Sequence, residues 1–227
     1  KKIIFHSELG TMHDKVLRLE KLAVISLNNL KFLTDIKEDL YNSIKLLKND
    51  LATEVVKEFP ELQGIMGYYY AREGKFNNNI AKAIYDQYKP LGPNDTLPRT
   101  ELGRLVSLLD KVDSLVGFFI IGKQPTSSKD PLALRRTALG IIRIIIESKI
   151  EINLTEIISR AIGNYKNSKL IQGLEKIEFI RTTEKNILLF IIERYEYLMK
   201  DNKSIKSNLL KSISVDTSKL SLLGLHK

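Results

Sequence analysis

Apolar residues recur every three or four positions through most of the chain, the rhythm of helices that bury one face. Val16, Leu19, Leu22, Ala23 and Leu30 mark a long first helix. A second helical stretch is predicted over 37–59, ended by Pro60, whose ring restricts the preceding residue and cannot donate into a helix. A third follows over 61–72 and stops near Gly74. Ile80, Ala83, Ile84 and Tyr88 carry the rhythm over 77–88, and the run Pro90-Leu91-Gly92-Pro93-Asn94-Asp95 then reads as a loop. Pro98 starts a helix whose buried stripe is Leu102, Leu105, Val106, Leu109, Val112 and Val116, running towards Phe118.

Residues 122–129 form a polar loop, after which Asp130 and Pro131 read as an N-cap with proline at the first helical position. A strongly apolar helix then reaches about Ser148. Beyond Ile150 the pattern weakens, with a short helix over 154–165 and a firmer one over 184–200. The fold class is therefore all-α, with one domain over 1–150 and a smaller helical unit over 151–227. Leu209, Leu210, Ile213, Leu220, Leu222 and Leu223, near the end and without a polar tail of their own, are expected to pack on residues beyond this chain. No internal repeat, heptad array or low-complexity tract is present.

At 227 residues, 43% hydrophobic and 28% charged, the chain can bury a core, and it has none of the marks of disorder. No run approaches the ~18 apolar residues of a membrane span. With no cysteine, disulfides and thiolate metal sites are excluded, which suits a reducing cytoplasm. Lys1-Lys2-Ile3-Ile4 has neither an initiator Met nor a signal-peptide core, so a piece of a longer protein is expected. The net charge of +9 favours a polyanionic partner through counterion release, although a Lys-, Ile- and Asn-rich composition also scatters lysines over solvated faces.

There is no Walker loop, no G-x-G-x-x-G and no H-E-x-x-H, and His6, His13 and His226 are the only histidines. Gly64 and Gly67 put small residues on one helix face, a pattern of close helix packing. The dipeptide His13-Asp14 evokes metal-dependent phosphohydrolases, with Asp110 or Asp113 as a distant ligand. His6 is too near to sit on a separate helix, and an aspartate favoured by a helix N-terminus explains the dipeptide at less cost. The best polyanion signal is Lys123, Lys129, Arg135, Arg136 and Arg143, which fall in one polar loop and the following helix, whose free N–H groups would add to the charge. The competing reading has Arg135 or Arg136 pairing internally with Asp110 or Asp113.

Three strings carry a family resemblance. They are Glu58-Phe59-Pro60-Glu61-Leu62-Gln63-Gly64-Ile65-Met66-Gly67 with Tyr69-Tyr70-Ala71, then Asp110-Lys111-Val112-Asp113-Ser114-Leu115-Val116-Gly117, and residues 122–143 with Lys129-Asp130-Pro131-Leu132-Ala133-Leu134-Arg135-Arg136. Together they resemble the beta subunit of the bacterial heterotetrameric glycyl-tRNA synthetase, with weaker similarity over 5–23 and 192–198. The departures are Ser127, where the resemblance leads one to expect glycine, and Tyr68, where relatives often differ.

The resemblance implies an HD-like helical domain over 1–150, then over 151–227 a helical linker and the start of a DALR-like anticodon-binding domain. It implies tRNA(Gly), the alpha subunit and the remaining beta domains as partners, no membrane, and a cytoplasmic location. ATP and Mg would be bound by the alpha subunit, so this chain holds no cofactor, no metal and no catalytic residue of its own and is expected to be inactive alone. The segment Lys48-Asn49-Asp50 would align with the phosphohydrolase His-Asp motif and Asp110 with its last aspartate, making Asp50 and Asp110 a vestigial metal site. The rival readings are an HD-type phosphohydrolase, active or degenerate, and a purely structural helical scaffold.

Overall fold

A computed structural model describes residues 3–29, 36–126, 129–165, 171, 176–199 and 222. Helices dominate them, as the periodicity predicts, and the one sheet is a small antiparallel pair, β1 (Ile4–His6) and β2 (Gly10–Thr11), with Ile4 opposite Thr11. The described chain divides into two compact units, residues 1–113 and 114–227.

In the first unit, α1 (Met12–Asn29) begins with a reciprocal cap. The Asp14 carboxylate accepts the Thr11 amide at 2.7 Å and the Thr11 hydroxyl at 2.7 Å, while the Asp14 amide donates back to Thr11 Oγ1 at 3.2 Å. The bond from the Thr11 side chain, then the Thr11 amide, lowers the Asp14 pKa. His13-Asp14 is thus a helix start. Val16, Leu19, Leu22 and Ala23 are buried as expected, and Leu30 lies outside the described residues.

The helix expected over 37–59 is broken. It comprises α2 (Lys37–Leu46), a 3₁₀ turn (Asn49–Ala52) and α3 (Glu54–Glu58). Leu47 turns extended and Lys48 adopts a left-handed conformation at φ 66°, which ends α2. Thr53 then caps α3 by accepting the Val56 amide at 3.4 Å. Apolar spacing cannot show this break, because Leu40, Ile44, Leu47 and Val56 are all buried on either side of it. The next stretch also divides, into a 3₁₀ turn (Pro60–Leu62) and α4 (Ile65–Glu73), separated by Gly64 at φ 79°.

α4 packs on α5 (Asn78–Asp86) across the two glycines. A Cβ on Gly67 would lie 2.6 Å from Ile84 Cγ2, and one on Gly64 would lie 3.1 Å from the Tyr85 carbonyl, so the expected close approach is what these positions provide. The following helix, α6 (Glu101–Ile120), starts three residues after Pro98, with the Thr100 hydroxyl accepting the Gly103 amide at 3.0 Å. Within the first unit it buries Leu102, Leu105, Val106, Leu109 and Val112.

The second unit contains the end of α6, α7 (Leu134–Glu147), α8 (Leu154–Gly163) and α9 (Lys176–Leu198). α7 and α8 both pack on α9, and Phe119 meets Phe190 edge-on with ring centroids 5.2 Å apart. The start of α9 precedes the predicted 184 because its first turns carry exposed residues and therefore no apolar rhythm. Of the terminal leucines and isoleucine, Leu222 is buried, and Leu209, Leu210, Ile213, Leu220 and Leu223 lie outside the described residues.

Candidate nucleic-acid interface

The basic segment is built on a helix end and a helix start. Gly122, at φ 70°, closes α6 by donating to the Phe119 carbonyl at 3.1 Å, and the Lys123 amide donates to the Phe118 carbonyl at 2.9 Å. This paired arrangement satisfies the last turn and directs the chain away from the helix, leaving the Lys123 side chain exposed. Thr126 and Lys129 exchange backbone bonds at 3.0 and 3.3 Å, and Ser127 and Ser128 lie outside the described residues. The Arg135 guanidinium donates to the Thr126 carbonyl and ties the loop to α7.

Asp130 does cap the helix, but from further upstream than expected. Its carboxylate accepts the amides of Leu134 at 2.8 Å and Arg135 at 3.0 Å, and Pro131 lies in a turn before the helix instead of at its first position. Ala133, left-handed at φ 54°, makes that turn possible. The helix terminus is therefore already occupied by an internal carboxylate, and the expected contribution of free N–H groups there is reduced.

The basic residues separate into two groups. Arg135 holds the loop, and Arg143, its side chain only 13% exposed, donates to both carboxylate oxygens of Glu147 at 2.6 and 3.2 Å. Lys123, Lys129 and Arg136 are exposed and make no ion pair among the described residues.

Those two aspartates belong to a buried ionic centre in the first unit. The Asp113 carboxylate accepts Arg18 Nε at 2.8 Å, Arg18 Nη2 at 3.2 Å and Lys15 Nζ at 3.1 Å. Asp110 has Lys15 Nζ at 3.3 Å and Lys48 Nζ at 3.2 Å. Lys15 and Lys48 are 2% and 6% exposed, and Asp113 is fully enclosed. The left-handed turn at Lys48 is what delivers its ammonium to this centre, where it also lies 4.0 Å from the centroid of the Tyr88 ring. Burial by itself would raise the Asp110 pKa, but Lys15, Lys48 and Lys111 together hold that carboxyl well below the usual carboxylate range. Burial pushes Lys111 down to about 8, against the attraction of Asp110, and its ammonium donates to the Tyr88 carbonyl at 3.0 Å. The Tyr88 phenol is pushed far up by burial, reinforced by Asp110 and Asp50.

Asp50 lies near this centre, with Oδ2 accepting the Gly64 amide at 2.6 Å and Oδ1 buried without a hydrogen-bond partner among the described residues. Asp50 and Asp110 do not make a donor set for a divalent metal. A cation on Asp110 would sit against two ammonium groups already in ionic contact with it. Among the described residues no group of three or more His, Cys, Asp or Glu could hold a metal ion. Sequence reasoning missed Lys15, Arg18 and Lys48. The available signal was opposite charge on buried stripes, since Lys15 and Arg18 share a face with Leu19 and Leu22, and Asp110 and Asp113 share one with Val106 and Leu109.

Among the described residues no helix is long and apolar enough to cross a membrane. A sequence model described as "Glycyl-tRNA synthetase beta subunit" matches residues 1–214. The chain is 48% identical over 168 residues to a glycine–tRNA ligase beta subunit of Rickettsia prowazekii, covering 74% of this chain and 24% of the relative. It is 44% identical over 201 residues to that of Clostridioides difficile, covering 88% and 28%. It is 42% identical over 213 residues to that of Buchnera aphidicola, covering 94% and 29%. The chain thus spans roughly a quarter of the length of the curated relatives it matches. A match this long, at this identity, places the resemblance read from three strings on firm ground, and the chain belongs to the glycyl-tRNA synthetase beta subunit family.

Proposed function

We propose that this chain is part of a tRNA-binding beta subunit of glycine–tRNA ligase, holding and orienting tRNA(Gly) while the alpha subunit performs ATP-dependent glycylation in the cytoplasm. The observation that supports the reading is a loop held by the Gly122 turn and by Arg135, with Lys123, Lys129 and Arg136 exposed and without carboxylate partners among the described residues. Cations so held lose little freedom when a phosphate backbone arrives, and each contact releases counterions. ATP and Mg belong to the alpha subunit in this reading. Residues 1–150 act as the HD-like domain, and 151–227 lead into the anticodon-binding domain.

The ionic contacts of Asp110 with Lys15 and Lys48 weigh against the phosphohydrolase alternative. Asp50 and Asp110 are in this view a remnant whose positive partner is now an amino-acid side chain.

The test is tRNA binding by the complete synthetase carrying Lys123→Ala and Lys129→Ala. The expected result is weaker binding, with the log–log salt slope flattened by about one unit per lost contact and little dependence on tRNA sequence. Unchanged affinity and slope would assign this loop to protein or solvent and favour a scaffold role for the segment.

A further inference from the structure

The first unit carries a second cationic surface of different chemistry. Gly64 and Gly67 draw α4 so close to α5 that the ring of Tyr68, the next residue along, meets Tyr85 edge-on with centroids 6.0 Å apart. Tyr69 lies edge-on to Tyr68 at 5.4 Å and is 59% exposed. The Arg99 guanidinium lies over the Tyr85 ring, 4.7 Å from its centroid. Arg72 is exposed one helical turn beyond Tyr68 and Tyr69, with no carboxylate partner among the described residues.

Arg99 is held in place from below. Its Nε donates to Asp86 Oδ2 at 2.8 Å and its backbone amide to the same oxygen at 3.0 Å, and Asp86 is fully buried. The bond from Asp86 raises the Arg99 pKa, so the side chain is charged at any ordinary pH. Among the described residues its two terminal amino groups have no acceptor, and half of the side chain is exposed. A planar donor fork, stacked on one ring and flanked by an exposed ring, combines two things an unpaired nucleotide needs. The fork fits a phosphate, and the face of Tyr69 is available to a base.

We infer that Tyr69, Tyr68, Tyr85, Arg99 and Arg72 form a stacking platform for an unpaired RNA nucleotide, with Arg99 on its phosphate and Tyr69 against its base. A base inside a helix is already stacked on its neighbours and offers no face, so the platform discriminates for single-stranded RNA. The inference rests on the tRNA-binding reading, and the test keeps the two apart.

The complete synthetase is titrated with a tRNA(Gly) transcript, with a hexa-adenylate RNA and with a short perfectly paired RNA hairpin closed by a non-nucleotide linker. Variants are Tyr69→Leu and Tyr69→Phe, both at an exposed position, with melting curves as a check on folding. Tyr69→Leu is expected to weaken hexa-adenylate binding about tenfold. Tyr69→Phe is expected to stay within about twofold of the parent, since stacking needs the ring and not the hydroxyl. Hairpin binding is expected to be unchanged in both. Equal hexa-adenylate affinity in Tyr69→Leu and the parent overturns the inference, as does a parent enzyme that binds tRNA but not hexa-adenylate. Loss of association with the alpha subunit at unchanged RNA affinity overturns it too and marks the patch as a protein interface. A parent synthetase with no salt-dependent affinity for tRNA removes the tRNA-binding reading itself.

Discussion

Replacing Asp113 by Ala removes the carboxylate that anchors the buried ionic centre. In the folded chain it accepts Arg18 at 2.8 and 3.2 Å and Lys15 at 3.1 Å, all three side chains being enclosed. Without it Lys15 retains Asp110, and Arg18 retains the Leu9 carbonyl at 3.2 Å but loses its carboxylate. A buried guanidinium stripped of its carboxylate costs about 3–5 kcal/mol. With a urea dependence of about 2 kcal/mol per molar, the unfolding midpoint should fall by roughly 1.5–2.5 M. Urea titration followed by circular dichroism reads this directly. Arg18→Met combined with Asp113→Leu should cost less than the two single changes added together, by about 0.5–3 kcal/mol, because no uncompensated charge remains at that pair. Arg136→Ala, at an exposed position without an ion pair, should stay within about 0.5 kcal/mol of the parent. A loss below about 1 kcal/mol for Asp113→Ala would refute the view that this centre holds the first unit together.

The depressed Lys111 makes stability depend on pH in a defined direction. Its folded pKa of about 8 lies below the ordinary 10.5, so the unfolded chain binds that proton more tightly and folding stability rises with pH across that interval. Tyr88 and Tyr195, both raised above the ordinary 10.0, begin to withdraw stability as their unfolded phenols ionise in the upper part of that interval, so denaturation between about pH 8 and 9 reports chiefly the lysine. Lys111→Met should flatten the rise, and a persistent slope of the same size would refute the assignment. Gly67→Ala places a methyl 2.6 Å from Ile84 Cγ2, on a stiff β-branched side chain, and should destabilise by about 1–3 kcal/mol despite alanine's better helix propensity. A melting temperature equal to or above the parent's would show that α4 and α5 separate at little cost.

The helices were legible because burial imposes a period on apolar residues, and Leu19, Leu22, Val106 and Leu109 are as enclosed as that period requires. Breaks between helices were less so. At Lys48 the chain changes direction through backbone angles that a lysine codon does not announce, and the apolar rhythm continues across the gap. For the basic segment, composition identified the residues but not their division of labour. Which arginine holds the loop depends on the Thr126 carbonyl, and which helix amides are occupied depends on Asp130 reaching forward to Leu134 and Arg135. The ionic centre could be read only by noticing charges on stripes that should be apolar, since Lys15 and Asp113 are almost a hundred positions apart and pairing over such a separation leaves no local trace.

Lys48 carries a consequence for how this centre endures. A metal ion joining two helices is present only as far as its free concentration permits, and chelation or scarcity removes it. An ammonium on a four-carbon arm is present once per chain at any dilution. It also lacks a vacant coordination position, so it can neither bind a water molecule as a ligand nor lower that water's pKa towards neutrality. The junction at Asp110 is therefore permanent and chemically silent, a cross-tie written into the polypeptide and renewed with every copy that is translated.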